Sequence, residues 1–214
     1  MQKRGKLVAV CVAGVAMAVC SVASQAVASV YTLPPGGNIL ANSSTFPVGG
    51  TILDTVTTPF TSSTIDGTVI SQVISGDSSN PYGGLTFTYS LSLNMFSSDS
   101  ASEMTIGSYG GFVTDVSYNL IGGEVAPSNF TRSTTGNGSV IRFSWSNGGG
   151  IMPGQTGALI VVQTAAQAFT SASGGVIDSQ TVNISTLAPV PEPGVASLFV
   201  AALGAFALWR RNSK

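Results

Sequence analysis

The 214-residue chain is predicted to fold as an all-β protein with a single β-sandwich-like domain over residues 29–186. Three features of this central part predict that fold class. Apolar and polar residues alternate in several runs, glycine-rich turns separate the runs, and no apolar stripe recurs at helical spacing. Seven or eight strands at these intervals are typical of a sandwich built from antiparallel sheets.

The clearest predicted strand covers residues 86–95, where apolar side chains take every second position and hydroxyl or amide side chains take the others. Residues 112–120 repeat this pattern less regularly. In residues 140–146 the alternation places Ile141, Phe143 and Trp145 on the inner face of the domain. All three runs therefore predict strands that have one face in the core.

Four further strands are predicted from shorter or less regular runs, at residues 51–56, 68–74, 158–164 and 176–185. Residues 158–162 are apolar at every position, which is typical of a strand that is covered on both faces. Residues 29–50 are predicted to form an irregular lead-in. Residues 187–193 are predicted to link the domain to the C-terminal segment.

Glycine dipeptides predict where the turns lie, because glycine adopts the positive φ angles that hairpin turns require. Asp66-Gly67 and Asn137-Gly138 are the strongest hairpin signals, the second in what could be a longer loop. Glycine pairs also predict turns at residues 49–50, 83–84, 110–111, 122–123 and 174–175.

The N-terminus has the three parts of a secretory signal peptide over residues 1–28. Lys3, Arg4 and Lys6 are basic, residues 7–19 are apolar, and Ala26-Val27-Ala28 offers a cleavage site before Ser29. Cys20 follows Val19 rather than a small residue, so we expect no lipid attachment there. The sequence therefore predicts that the central domain is exported.

The C-terminal segment, residues 187–214, combines a rigid motif, an apolar run and a basic end. Pro191-Glu192-Pro193 fixes two φ angles and keeps the chain extended. Residues 194–209 carry no charge and would span ~24 Å as a helix, less than the hydrocarbon core of about 30 Å. Arg210, Arg211 and Lys214 are expected to remain on the cytoplasmic side.

This tail resembles those of the PEP-CTERM proteins of Gram-negative bacteria, which carry Pro-Glu-Pro, a short membrane span and an arginine cluster in that order. The resemblance implies that Pro191, Glu192 and Pro193 are recognised by exosortase, a membrane-embedded enzyme of the cysteine-protease type, and that Arg210 and Arg211 form the membrane stop. It also implies export through the inner membrane, a membrane-anchored precursor, and then a cell-surface or extracellular product. The alternative is an ordinary C-terminal anchor.

Charge and residue usage exclude several classes of function for the central domain. Residues 29–189 contain two arginines, eight acidic residues and no lysine, a formal charge of −6. Nucleic acids and anionic membranes require clustered cations, so neither is an expected partner. Both cysteines, Cys11 and Cys20, lie in the signal peptide, so the domain has no disulfide. Arg132 and Arg142 are expected to pair with acids on the sheet surface.

The same composition predicts that the protein is not an enzyme and has no cofactor. Histidine is absent from the whole chain, and the domain lacks cysteine and lysine, which removes the usual nucleophile and base combinations. Asp99 and Glu103 are the only close carboxylate pair and are expected in a solvated loop. Residues 77–80 offer oxygen ligands, but Pro81 and Tyr82 break the calcium-loop pattern. An Asx-turn is the expected structure there, with no metal site.

Two functional classes remain open. One is a non-catalytic structural or binding protein of the envelope or extracellular matrix, in keeping with the exopolysaccharide-producing bacteria in which the resembling family tends to occur. The other is a ligand-binding β-domain that contacts exopolysaccharide or, with less support, ice. Its surface would be the hydroxyl-rich face of residues 86–94, whose members are Thr86, Thr88, Ser90, Ser92 and Asn94. Exposed aromatic residues, drawn from Tyr82, Tyr109, Trp145 or Phe169, would favour the second class.

Overall fold

The computed structural model describes residues 31–44 and 48–190, and this part of the chain folds as a β-sandwich. Its eleven strands form two antiparallel sheets, which confirms the predicted fold class. A six-stranded sheet has the order β1-β7-β8-β5-β10-β11, and a five-stranded sheet has the order β2-β3-β4-β9-β6. The strands are β1 Asn38–Leu40, β2 Thr51–Thr61, β3 Asp66–Ser75, β4 Thr86–Leu93, β5 Glu103–Ile106, β6 Thr114–Asn119, β7 Asn129–Arg132, β8 Ile141–Ser144, β9 Leu159–Thr164, β10 Phe169–Ile177 and β11 Thr181–Pro189.

The core lies between the two sheets and is built from the alternating residues that the sequence places inward. Ile141, Phe143 and Trp145 are buried, as predicted. The Phe143 ring contacts the Phe130 ring edge-on, with centroids 5.8 Å apart. In β9, Val161 is buried as well as Ile160 and Val162, so both faces of this strand are covered, as its apolar run predicts.

The predicted strand at residues 176–185 is wrong, because this stretch contains a hairpin. β10 and β11 pair along their whole length around a turn at residues 178–180, where the Asp178 carboxylate accepts the Gln180 N–H. The predicted turn at Gly174-Gly175 lies inside β10. A Cβ atom at Gly174 would come within 2.5 Å of the Thr105 carbonyl oxygen, so glycine serves close strand packing there.

The β2–β3 hairpin forms, although its turn precedes the predicted Asp66-Gly67 position. The Ser62 N–H donates to the Ile65 carbonyl at 2.8 Å, and Asp66 and Gly67 are the first residues of β3. The loop between β7 and β8 does contain Asn137-Gly138, with φ angles of 52° and 75°. The prediction of a turn at this second dipeptide is confirmed.

The predicted linker at residues 187–193 begins too early, because β11 continues to Pro189. Leu187 is 3% exposed, and Ala188 is fully buried. The Leu187 N–H donates to Ser71 Oγ, and the Leu187 carbonyl accepts the Tyr89 hydroxyl. The last residues of β11 are therefore part of the core.

The predicted irregular lead-in connects the two sheets. β1 pairs with β7 at one edge of the six-stranded sheet. On either side of β1, the chain runs along the free edge of β6 in the other sheet. There Leu33 N–H donates to the Thr114 carbonyl and Tyr118 N–H donates to the Asn42 carbonyl, at 2.9 and 3.1 Å. This segment thus covers an edge that would otherwise expose unpaired backbone groups.

Both ends of the described chain lie at the same end of the sandwich, which we call the terminal end. Leu33 is bonded at the start of β6, and the Val190 N–H donates to the Ala168 carbonyl just before β10. The Leu85 N–H, just before β4, donates to the nearby Ala166 carbonyl. The opposite end, which we call the distal end, carries the loops at residues 62–65, 94–100, 120–124 and 152–155.

Candidate functional site

The predicted processing sites lie outside the described residues. These are the cleavage site at Ala26, Ala28 and Ser29, the motif Pro191-Glu192-Pro193, the apolar run 194–209 and the stop at Arg210 and Arg211. Within the described part of the chain, no helix is both long enough and apolar enough to cross a membrane. The structure does describe β11, the strand that leads to the motif, and the Val190 N–H that follows it donates to the Ala168 carbonyl.

The predicted hydroxyl face on β4 is not an open surface. Thr86 is fully buried and Thr88 is 2% exposed, while Ser90 and Ser92 are half-buried. β4 is the middle strand of its sheet, and the loop that precedes it covers its first residues. Only Asn94, beyond the strand, is exposed. The prediction that the hydroxyl side chains of β4 form a continuous contact surface for ice or polysaccharide is therefore wrong.

None of the four aromatic residues considered as sugar platforms forms one. Tyr109 and Trp145 are buried, and the Trp145 indole N–H donates to the Val125 carbonyl at 3.0 Å. Phe169 packs against the core, and Tyr82 is half-buried in a loop. The sequence analysis missed Phe96, which is 84% exposed in the distal loop at residues 94–100.

Residues 77–80 form the predicted Asx-turn, and the Asp77 carboxylate also fastens this loop to the sheet. Its Oδ1 accepts the Ser79 N–H and hydroxyl, and its Oδ2 accepts Thr86 Oγ1 and Gln163 Nε2, at 2.8 and 3.0 Å. Burial alone would raise the pKa of Asp77, but these donors together hold it below its ordinary value. Both oxygens are thus occupied by protein donors.

No group of three or more acidic side chains suited to a metal ion occurs in the described residues. Glu103, which was predicted in a solvated loop, begins β5 and forms an ion pair with Arg142 at 3.3 Å. Asp99 does lie in an exposed loop, where its Oδ1 accepts the Ser100 N–H. The two carboxylates therefore have different surroundings, and the expected surface ion pair of Arg142 is confirmed.

Contrary to the prediction, Arg132 forms no ion pair with any described residue, because it occupies an inward position of β7. It is 4% exposed, and all five of its N–H donors have neutral oxygen acceptors within the described residues. Burial lowers the pKa of this guanidinium. The acceptors are the carbonyls of Leu33, Tyr109, Phe112 and Gly138 and the hydroxyl of Thr114, at 2.6 to 3.1 Å. Arg132 thereby joins the lead-in to two loops of the terminal end.

The distal end contains an open pocket of about 440 Å³, which the sequence analysis did not predict. Its walls come from the end of β2, the start of β3 and the end of β4. We call it the distal pocket, and it is lined by Pro59, Phe60, Thr61, Asp66, Gly67, Thr68, Ser92, Leu93 and Asn94. These residues come from three short segments, 59–61, 66–68 and 92–94, which the pairing of β2 with β3 and of β3 with β4 brings together.

No family model, no curated protein and no solved structure matches the chain.

Proposed function

We propose that this chain is an exported, non-catalytic protein of the bacterial envelope or extracellular matrix, sorted by a C-terminal signal of the PEP-CTERM type. One observation carries the proposal. Pro191-Glu192-Pro193 stands directly before an uncharged run of sixteen residues, which Arg210 and Arg211 close. In this proposal an exosortase-type enzyme recognises the motif, and the chain is its substrate.

The position of the last strand supports this role for the tail. β11 ends at Pro189, and Val190 is the only residue between it and the motif. Because prolines at 191 and 193 cannot donate backbone hydrogen bonds, they oppose extension of the sheet into the motif. Cleavage at or after Pro191 would therefore leave every strand of the sandwich intact.

The engagement of charged groups supports a non-catalytic role for the domain. Asp77 accepts four hydrogen bonds, and Asp178 accepts the Thr64 hydroxyl and the Gln180 N–H. Glu103 is paired with Arg142, and every donor of Arg132 is used. Groups held in this way stabilise loops and strands, whereas a general acid or base needs a proton that it can exchange with a substrate.

The test is the mass of the protein recovered from the envelope and from the medium of its native host. We expect the wild-type product to begin at Ser29 and to end near residues 191–193. The Glu192→Ala variant should retain Lys214 and remain in the inner membrane, because the acidic side chain of the motif is lost.

Asp54→Asn is the matched control, because it neutralises one exposed acid on β2 while leaving the tail unchanged. It should be processed like the wild type. If the wild type, Glu192→Ala and Asp54→Asn all retain Lys214, the tail is an ordinary membrane anchor and the sorting proposal is wrong.

A further inference from the structure

We propose that the distal pocket binds a neutral sugar residue of a polysaccharide. This inference goes beyond the proposed sorting of the chain, and it needs neither the processing enzyme nor cleavage of the tail. It also moves the ligand-binding hypothesis from the hydroxyl face of β4 as a whole to the distal ends of β2, β3 and β4.

The pocket floor is a small grid of outward-facing residues on three paired strands. Thr68 is paired with both Pro59 and Ser92, and these three residues form one row. The second row contains Thr61 and Asp66, which are paired, and Asn94, whose N–H donates to the Asp66 carbonyl at 2.8 Å. Rows lie about 7 Å apart and strands about 4.8 Å apart. These intervals are comparable to the dimensions of a pyranose ring.

Three polar groups of the grid are open to a ligand. Within the described residues, Asp66 Oδ2, Asn94 Nδ2 and Thr68 Oγ1 have no hydrogen-bond partner. They supply an ionised acceptor, an amide donor and a hydroxyl that can act as either. Adjacent hydroxyl groups of a sugar require this combination of donors and acceptors.

The protein itself orients the Asp66 carboxylate. Thr61 Oγ1 donates to Asp66 Oδ1, which leaves Oδ2 directed away from that contact. One side chain holds the backbone of Asp66, because the Asp66 N–H donates to Ser97 Oγ at 3.0 Å and the Asp66 carbonyl accepts the same hydroxyl at 2.9 Å. A binding group held in advance loses little conformational entropy when a ligand arrives.

The charge of the pocket selects a neutral ligand. Asp66 is its only charged residue, and no lysine or arginine lines it. An anionic sugar would be repelled, and a cation would find only one carboxylate. Pro59, which is exposed in the first row of this grid, adds apolar surface suited to the C–H face of a sugar ring.

The test uses the full-length chain in detergent micelles and the polysaccharide that its host secretes, separated into neutral and acidic fractions by anion exchange. Each fraction is immobilised, and binding is measured at equilibrium. We expect retention on the neutral fraction. Absence of binding to it, or equal or tighter binding to the acidic fraction, would overturn the proposal.

Two variants locate the binding to the pocket. Asp66→Asn and Thr68→Val keep the side-chain shapes but remove an ionised acceptor and a hydroxyl. Loss of a hydrogen bond to a charged group should weaken binding by Asp66→Asn about tenfold or more, and Thr68→Val should weaken it about threefold to tenfold. Thr170→Val changes an exposed threonine of β10 on the other sheet and should bind like the wild type.

The thermal unfolding midpoint of each variant separates loss of binding from loss of fold. If Asp66→Asn unfolds, Thr68→Val carries the test alone. Binding unchanged in a folded Thr68→Val variant would contradict the proposal. Because uncleaved chain is used throughout, a negative result here leaves the sorting proposal unaffected, and a failure of sorting leaves this test valid.

Discussion

Arg132 stabilises the terminal end through a buried charge that has no acidic partner among residues 31–44 and 48–190. Its guanidinium donates to four carbonyls and one hydroxyl, which belong to the lead-in, β6 and two loops. Each such bond offsets part of the cost of removing the cation from water. The planar group with five fixed donors fits this set of acceptors, whereas an ammonium group has three donors on a flexible chain.

We therefore expect Arg132→Lys to lower the free energy of unfolding by about 3 kcal/mol, because at least two buried acceptors lose a charged donor. Urea unfolding of the exported domain measures this change. Arg142→Lys is the control, since its half-exposed ion pair contributes at most about 1 kcal/mol. Equal losses in the two variants would show that the buried network contributes no more than the surface pair.

Two buried aspartates should respond to pH in opposite directions. Burial raises the pKa of Asp115 to about 6, although the Tyr31 N–H partly opposes this. The folded state therefore binds the Asp115 proton more tightly than the unfolded state, and stability falls as pH rises from about 4 to 6. For Asp77 the folded-state pKa is lowered, so its contribution is present at neutral pH and is lost as pH falls below about 4.

Asp115→Asn should therefore be more stable than the wild type at pH 7 by about 3 kcal/mol, and this advantage should disappear near pH 4. Asp77→Asn should be less stable than the wild type at pH 7, with a difference that shrinks as pH falls to 3. Urea unfolding at several pH values provides both curves. A constant offset across this range for either variant would contradict the pKa shift assigned to that residue.

At the scale of single elements, the sequence predicts strands that have a regular alternation or a continuous apolar run, and it misses strands whose pattern is short or broken. β4 and β9 have enough residues for alternation or a continuous apolar run to be recognised. β5 and β7 have four residues each, and β7 places the charged Arg132 at an inward position, so its pattern is broken. The distal pocket was also unpredictable, because strand register rather than chain proximity joins Thr61, Thr68 and Ser92.

The extent of β11 gives a prediction about where the domain ends. A chain that stops after Val190 should be as stable as one that ends at the motif, because the sandwich is complete. A chain that stops after Thr186 should lose about 3–5 kcal/mol, since it lacks buried Leu187 and both of its hydrogen bonds. Urea unfolding compares the two, and equal midpoints and slopes would place Leu187 outside the cooperative core.

At the scale of the whole molecule, the two ends of the described chain and the distal pocket lie at opposite ends of the sandwich. The described chain begins and ends at the terminal end, and the tail continues from Val190 there. The distal pocket and the exposed Phe96 lie at the opposite end, beyond the eight residues of β4. That strand alone separates the two ends by about 26 Å. In a membrane-anchored precursor, the pocket would therefore face away from the bilayer.

This arrangement predicts unequal distances from the membrane, which single cysteines can report because residues 29–189 contain none. A chain that begins at Ser29 is reconstituted in lipid vesicles with a fluorescent donor at Gln167→Cys, on the terminal end, or at Phe96→Cys, on the distal end. Energy transfer to an acceptor attached to lipid headgroups should be strong from the first site and weak from the second. The chain without an introduced cysteine controls for unspecific labelling. Equal transfer from both sites would mean that the sandwich lies flat on the bilayer, and the pocket would then not be presented outward.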